Sequence, residues 1–255
     1  MKFKLLTLIL STMLTLTHVL AQKLDFEKVK IYEHQLDDVM ELIDINELKI
    51  KLIEVEKDHS QNPSPINKVR LGIIYHEVAL NLSFLSQTEF KGYGRKSFEV
   101  LTAQFKASDT PQELLPYICS YRASALSLVS SETNSLKLLS QAFELFKEAV
   151  DNYSSISYLP EFLRGSVAEN LPWFFFQKRK FARRDFQSII EKYDNNQEYS
   201  NAKIMSFTYW AWANQRQKGK HREQSIIYLD KAIALDPNYK AGRKRAEELK
   251  LKMTN

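Results

Sequence analysis

Cysteine is almost missing from this sequence. Cys119 stands alone, so the chain has no internal disulfide open to it, even in an oxidising compartment. Stability must come from packing. Glycine and proline are also sparse, six and seven in 255 residues, and alternating runs rich in Val, Ile and Thr are scarce. Those shortages argue against a turn-rich β architecture and favour helices joined by short connections. Past the N-terminal leader, no stretch approaches the roughly 20 apolar residues that a membrane span needs. What is present is ample material for a core, at 44% hydrophobic and 12% aromatic residues.

The leader has the three parts of a cleavable signal peptide. MKFK supplies a positive start, LLTLILSTMLTLT an apolar run, and Val19 with Ala21 the small-residue cleavage pattern. Cleavage is expected before Gln22, leaving 22–255 as one domain that is periplasmic or secreted. Glutamine after the cut, rather than cysteine, makes a lipid anchor unexpected. Losing Lys2 and Lys4 lowers the formal charge from +5 to +3. A mildly basic exported chain has no strong claim on nucleic acid. Asn81 and Asn152 each open an Asn-x-Ser glycosylation acceptor, relevant only in a eukaryotic source.

Helical periodicity runs through the mature chain. In SLKLLSQAFELFKEAVDNY, Leu136, Leu139, Ala142, Phe143, Phe146, Ala149 and Val150 recur at three- and four-residue steps. Similar stripes appear in ELKIKLIEVEK, INKVRLGIIYHEVALNL and REQSIIYLDKAIAL. Short polar breaks at 60–65, 108–111, 130–135, 154–160 and 195–200 suit turns and helix caps. A small-large-small pattern recurs as well. Ser225, Leu229 and Ala232 carry it before Pro237; Ala142, Phe146 and Ala149 repeat it. Looser copies are Ala182, Phe186, Ile189 and Ser97, Leu101, Gln104. Small residues let neighbouring helices approach, the bulky one fills the gap, and proline stops the helix behind it.

YLDKAIALDPNYKAGRKRAEEL, at 228–249, resembles the second helix and exit turn of a tetratricopeptide repeat. Leu71, Gly72 and Tyr75 match the Leu-Gly-x-x-Tyr signature of that family's first helix, and Tyr209, Trp212 and Ala213 fill comparable places. The copies lie 45, 40 and 43 residues apart, longer than the family's usual repeat of about 34. The resemblance implies an all-α, right-handed α-solenoid of antiparallel helix pairs, in an exported, bacterial-type form with lengthened helices. A further helix near 238–252 would cap it.

Motifs for chemistry are missing. GYGRKS, at 92–97, has its glycines too close together for a phosphate loop and follows a helical pattern, so it reads as a helix connection. His34, His59, His76 and His221 have no paired metal spacing. Glu33, His34, Asp37 and Asp38 form the best metal candidate, and a solvated charged face explains them better. Cys119 sits in PYICSYRASAL, a context where a thiol packs and stays inert. No nucleophile elbow or zinc helix is present. No catalytic residue, metal or cofactor is therefore assigned, and the expectation is a protein that is not an enzyme.

LRGSVAENLPWFFFQKRKFARR, at 163–184, is the most distinctive stretch. Gly165 should admit a neighbouring helix, and Pro172 should break the helix, with Asn170 capping the restart. Trp173, Phe174, Phe175 and Phe176 would point about 100° apart on a helix, so burial between repeats is the expectation; any that emerge would mark a contact or membrane-touching patch. Lys178, Arg179, Lys180, Arg183 and Arg184, with Arg216, Lys218, Lys220 and Arg222, make the third and fourth repeats basic. Such a ridge is either a solvated helix end or an attractor for an acidic protein, anionic headgroups or a cell-wall polymer.

In tetratricopeptide proteins the stacked first helices line a groove that binds peptides or protein segments. Carried over, the resemblance implies groove-facing Trp210, Asn214, Gln217 and Lys218 in the last repeat, and Phe162, Ser166, Glu169 and Asn170 in the middle one. A protein or peptide partner follows. The competing readings are a small-molecule binder with an apolar cavity lined by Trp173 and Phe175, and a cell-wall-processing factor pairing Glu169 with Arg164 in a closed cleft. An open trough, an enclosed cavity or a polar cleft would distinguish them.

Overall fold

The computed structural model describes residues 24–82, 88–235 and 240–254, with the side chains of 240 and 241 left aside. The expected leader, Ser83 of the Asn81 acceptor and Pro237 lie outside the described residues. Within them every regular element is helical: α1 Phe26–Leu36, α2 Ile45–Gln61, α3 Pro65–Asn81, α4 Tyr93–Lys106, α5 Leu115–Thr133 and α6 Leu136–Tyr153. Then follow α7 Leu159–Asn170, α8 Phe176–Asn195, α9 Ala202–Asn214, α10 Arg222–Leu235 and α11 Lys240–Thr254. From α2 to α11 each helix packs on the next in sequence, and α3 on α5, α5 on α7 and α9 on α11.

Local chemistry sets the boundaries. The side chains of Asp25, Asp44, Ser135 and Asn201 accept hydrogen bonds from backbone N–H groups in the first turns of α1, α2, α6 and α9. Pro65, Pro116 and Pro160 occupy first-turn positions, where no helical donor is lost. Asn134 ends α5 in the left-handed conformation at φ 52°, which asparagine tolerates. Only Ser135 then separates it from α6.

All four small-large-small triplets are buried, from Ser97, Leu101 and Gln104 through to Ser225, Leu229 and Ala232. Two of the bulky members fill a seam against a glycine of the neighbouring helix. A Cβ added to Gly72 of α3 would fall 2.5 Å from Leu101 of α4, and one on Gly165 of α7 would fall 3.1 Å from Phe186 of α8. The small members also bond across the seams. The Ser97 hydroxyl donates to the Gly72 carbonyl at 2.7 Å, and the Ser206 hydroxyl of α9 to the Ala232 carbonyl of α10 at 2.7 Å.

Two buried polar clusters tie this core together. In one, Arg164 of α7 donates two 2.7 Å bonds to Asp185 of α8, with both residues buried. In the other, His76 of α3 joins Glu77 through Nδ1 at 3.1 Å and Ser124 of α5 through Nε2 at 2.7 Å.

Candidate functional site

The helix break at Pro172 falls where the sequence places it, with a 3-10 turn at Trp173–Phe175 before α8 begins. Asn170 does not cap the restart; its side-chain amide donates back to the Ser166 carbonyl at 2.8 Å. The aromatic residues overturn the expectation of burial. Trp173 is 82% exposed, Phe174 55% and Phe176 60%, while Phe175 alone packs against the core. Trp173 therefore lines no apolar cavity with Phe175. A 100° step between rings holds only within one continuous helix, whereas Pro172 places three of the four rings in the connection.

The basic residues then run along α8. Phe176, Lys180 and Arg183 recur at four- and three-residue steps and so share one side of it. One turn beyond Arg183, Gln187 reaches the rim of an open trough of about 680 Å³ where the C-terminal end of α9 turns toward α10. Arg183 and Gln187 form one wall. Trp212 and Asn214 from α9, the turn residues Gln215 to Lys218, and His221 complete it. Trp212 is fixed by its indole N–H, which donates to the Gln187 side-chain oxygen.

Arg216 is the cation at the centre of this arrangement. Its guanidinium lies over the Trp212 ring, 4.3 Å from the centroid, and donates to the carbonyls of Trp212 and Arg183 at 3.3 and 3.2 Å. No described carboxylate forms an ion pair with it. Burial first, and repulsion from Arg183 second, push its pKa down to about 10. It is therefore still charged at neutral pH, in a setting that lacks its counter-charge. Arg183 and Lys218, both exposed, add positive charge at the edges.

The eight groove candidates divide. Asn214, Gln217 and Lys218 do line the trough. Glu169 supports it from α7: its carboxylate accepts from the Asn214 amide at 3.1 Å and the Gln215 amide at 2.7 Å. Burial raises the Glu169 pKa, outweighing those bonds and the nearby Arg179 and Arg183. Gln217 donates back to the Asn214 carbonyl at 2.8 Å, closing the turn. Trp210 turns elsewhere, with Phe207 at 5.1 Å and the Arg245 guanidinium of α11 at 4.9 Å. Phe162 is core, edge-on to Phe207 at 5.4 Å, so it presents no surface to a partner. Asn170 is exposed and the Ser166 hydroxyl is buried without a hydrogen-bond partner.

Glu169 and Arg164 do not converge, since Arg164 is held by Asp185 and Glu169 by the two amides. The N-terminal acidic group is likewise spread over separate ion pairs: Glu33 with Lys30, Asp37 with Lys203, and Asp38 with Arg70 and Lys51. Burial alone would raise the Asp38 carboxyl, but Arg70 and Lys51 together hold it below the usual carboxylate range. Among the described residues no three metal-ligating side chains come together, and no helix is long and apolar enough to cross a membrane.

Sequence reasoning missed the acid–histidine–serine relay of Glu77, His76 and Ser124. Its connectivity is that of a nucleophilic triad. All three side chains are buried, however, and Ser124 lies within α5, where the backbone N–H groups are taken by helical bonds. A substrate carbonyl has neither access nor an oxyanion hole there, so the relay joins α3 to α5. Compared with protein families, curated proteins and solved structures, the chain matches none of them.

Proposed function

We propose that this chain is an exported, non-enzymatic scaffold that holds an acidic segment of a protein partner in the trough between α8, the end of α9 and the turn that follows it. The observation that carries the reading is Arg216: half-buried, charged, and without a carboxylate, beside Arg183 and Lys218. An acidic side chain or chain terminus supplies the missing counter-charge, and the Asn214 and Gln217 amides suit the peptide groups around it. The open form of the trough favours an extended segment over an enclosed small molecule. The helix order, the buried triplets and the close approaches at Gly72 and Gly165 support the finer architecture we propose: a right-handed α-solenoid of antiparallel, tetratricopeptide-like pairs, capped by α11.

Fluorescence anisotropy with a labelled peptide rich in Asp and Glu tests the reading against a Gln- and Ser-rich peptide of equal length. The acidic peptide should bind more tightly, weaken with added salt, and lose about tenfold or more on Arg183→Glu/Lys218→Glu, two exposed positions. Equal binding of both peptides, or an unchanged affinity in the double variant, rejects the trough as the site.

A further inference from the structure

The aromatic turn between α7 and α8 has no role in the trough. Its rings form a knob: Trp173 meets Phe174 edge-on at 6.0 Å, and Phe174 lies 4.6 Å from Phe175, the one ring anchored to the core. Phe176 extends the exposed surface onto the first turn of α8. Large rings left side by side in water cost free energy, and that cost favours association with whatever covers them.

Along the sequence, the charge from the knob into α8 is of one sign. Residues 171–184 contain five Lys and Arg and no Asp or Glu. The first carboxylate beyond them, Asp185, is buried and taken by Arg164. Arg179 donates to the Leu171 carbonyl and Lys180 to the Gln177 side chain at 3.2 Å, and neither forms an ion pair among the described residues, although Glu169 of α7 lies near Arg179. Lys178 lies over the Phe143 ring at 4.5 Å. Phe176, Lys180 and Arg183 follow one another along a single side of α8, so the apolar tip grades into cationic flank over about 10 Å of helix.

We infer that this surface docks on an anionic lipid bilayer, the rings entering the interfacial layer and the α8 cations meeting headgroup phosphates. Tryptophan and phenylalanine next to lysine and arginine suit that boundary, where rings bury to a depth of about 5–10 Å and cations stay at headgroup level. Charge complementarity selects the anionic surface over a neutral one. A fluid interface also accepts a protruding knob without a matching pocket, which a protein partner has to provide for each ring. The inference goes beyond the trough reading and does not rest on it.

Flotation of the whole protein with vesicles tests it, using phosphatidylcholine alone or mixed with phosphatidylglycerol. Three variants accompany the parent: Trp173→Ala/Phe174→Ala/Phe176→Ala, Lys180→Glu/Arg184→Gln, and the trough change Lys218→Glu. All alter exposed side chains, and circular dichroism melts verify that each still folds. The parent should float with the anionic vesicles and not with the neutral ones. The aromatic and basic variants should each lose about tenfold or more in partitioning, with Lys218→Glu close to the parent. Shallow brominated lipids should quench tryptophan emission in the parent and not in Trp173→Phe, which isolates Trp173 from Trp210 and Trp212. Absence of flotation with anionic vesicles at low salt overturns the inference. So does flotation that survives the aromatic variant, and so does an acidic peptide in solution that binds the knob and displaces the vesicles. Lys218→Glu alters the trough and not the knob, so comparing its peptide binding with its flotation lets either reading fail without the other.

Discussion

Removing one partner of the Arg164–Asp185 pair should be among the most damaging single changes to this protein. The two side chains are 3% and 0% exposed and share two 2.7 Å bonds across the α7–α8 seam. Breaking a buried pair from one side costs about 3–5 kcal/mol, because the remaining charge is left desolvated. The two halves should not cost the same. Arg164→Met leaves Asp185 beside Arg184, 3.5 Å away and largely exposed, so its loss belongs near about 3 kcal/mol, the lower end of that range. Asp185→Leu leaves Arg164 against the Phe181 ring, 4.7 Å from its centroid, and its loss belongs near about 5 kcal/mol.

The double variant Arg164→Met/Asp185→Leu strands neither charge and should recover most of either loss, ending within about 2 kcal/mol of the parent. Urea unfolding followed by circular dichroism and by tryptophan emission reads all four proteins, with coincident transitions as the check on cooperativity. In thermal melts the single variants should fall by about 6–20 °C, at roughly 2–4 °C per kcal/mol for a domain of this size. A double variant that loses the sum of the two single losses would falsify the reasoning, since additive losses mean that the charges do not interact.

Three further outcomes follow from the geometry. Burial, set against Arg122 and Tyr153, pushes the Cys119 thiol up to about 11. Alkylation of the native protein near pH 8 should therefore run about 100-fold or more slower than in urea, where the thiol titrates near 8.5; comparable rates would show that the thiol is accessible and ordinary. Gly72→Ala should cost about 1–3 kcal/mol by collision with Leu101, partly offset by alanine's better helix propensity of about 1 kcal/mol. The same change should become neutral or stabilising in a Leu101→Ala background, and urea midpoints that show an undiminished cost there would place the strain elsewhere. Glu169 has a raised pKa in the folded state, so the native protein holds that proton more tightly than the unfolded chain. Its contribution is complete below the unfolded value and is lost as pH rises through the folded one. Glu169→Gln should therefore gain on the parent between pH 4.5 and 7.5, by less than about 1 kcal/mol; a variant that instead loses ground across that window would reverse the sign.

Repetitive features were legible in the sequence because they are local. Helix periodicity and the small-large-small steps depend on residues three and four apart, and all four triplets are buried. That Gly165 admits a neighbouring helix is legible from its missing Cβ alone, whereas the ring it meets, Phe186 at 3.1 Å, lies on the next helix and is not. The exposed aromatics were misread because a helical projection was applied across Pro172, beyond which the chain follows a different path. The positions that the tetratricopeptide resemblance implies in the last repeat divide between helix and turn, with Trp210 packed against Phe207 and Arg245. α9 ends at Asn214, and Gln217 and Lys218 then follow the turn instead of the helix face. Partners that depend on three-dimensional folding were beyond local pattern. Arg164 and Asp185 are 21 residues apart, Glu169 and Asn214 45, and His76 and Ser124 48. A usable signal did exist at Asp185. It sits within the Ala182–Phe186–Ile189 seam, where a carboxylate requires a buried cation.

α8 links the two surfaces to which functions have been attached. Its first turn carries part of the aromatic knob and its third and fourth carry Arg183 and Gln187 at the trough, while Asp185 between them is fixed to α7 by two hydrogen bonds. Glu169, on the last turn of α7, then holds the two amides that shape the end of α9. The buried Arg164–Asp185 pair thus ties α7 to α8, and the part-buried Glu169 bonds tie α7 to the end of α9. Charge bound at either end lies along the same helix, with Arg183 between the two. Anionic headgroups gathered near Lys180 and Arg183 would lower the local positive potential and weaken capture of an acidic segment, whereas a bound segment would weaken attachment to the bilayer by the same factor. If both readings hold, the two surfaces would oppose each other through charge, without any need for the fold to change.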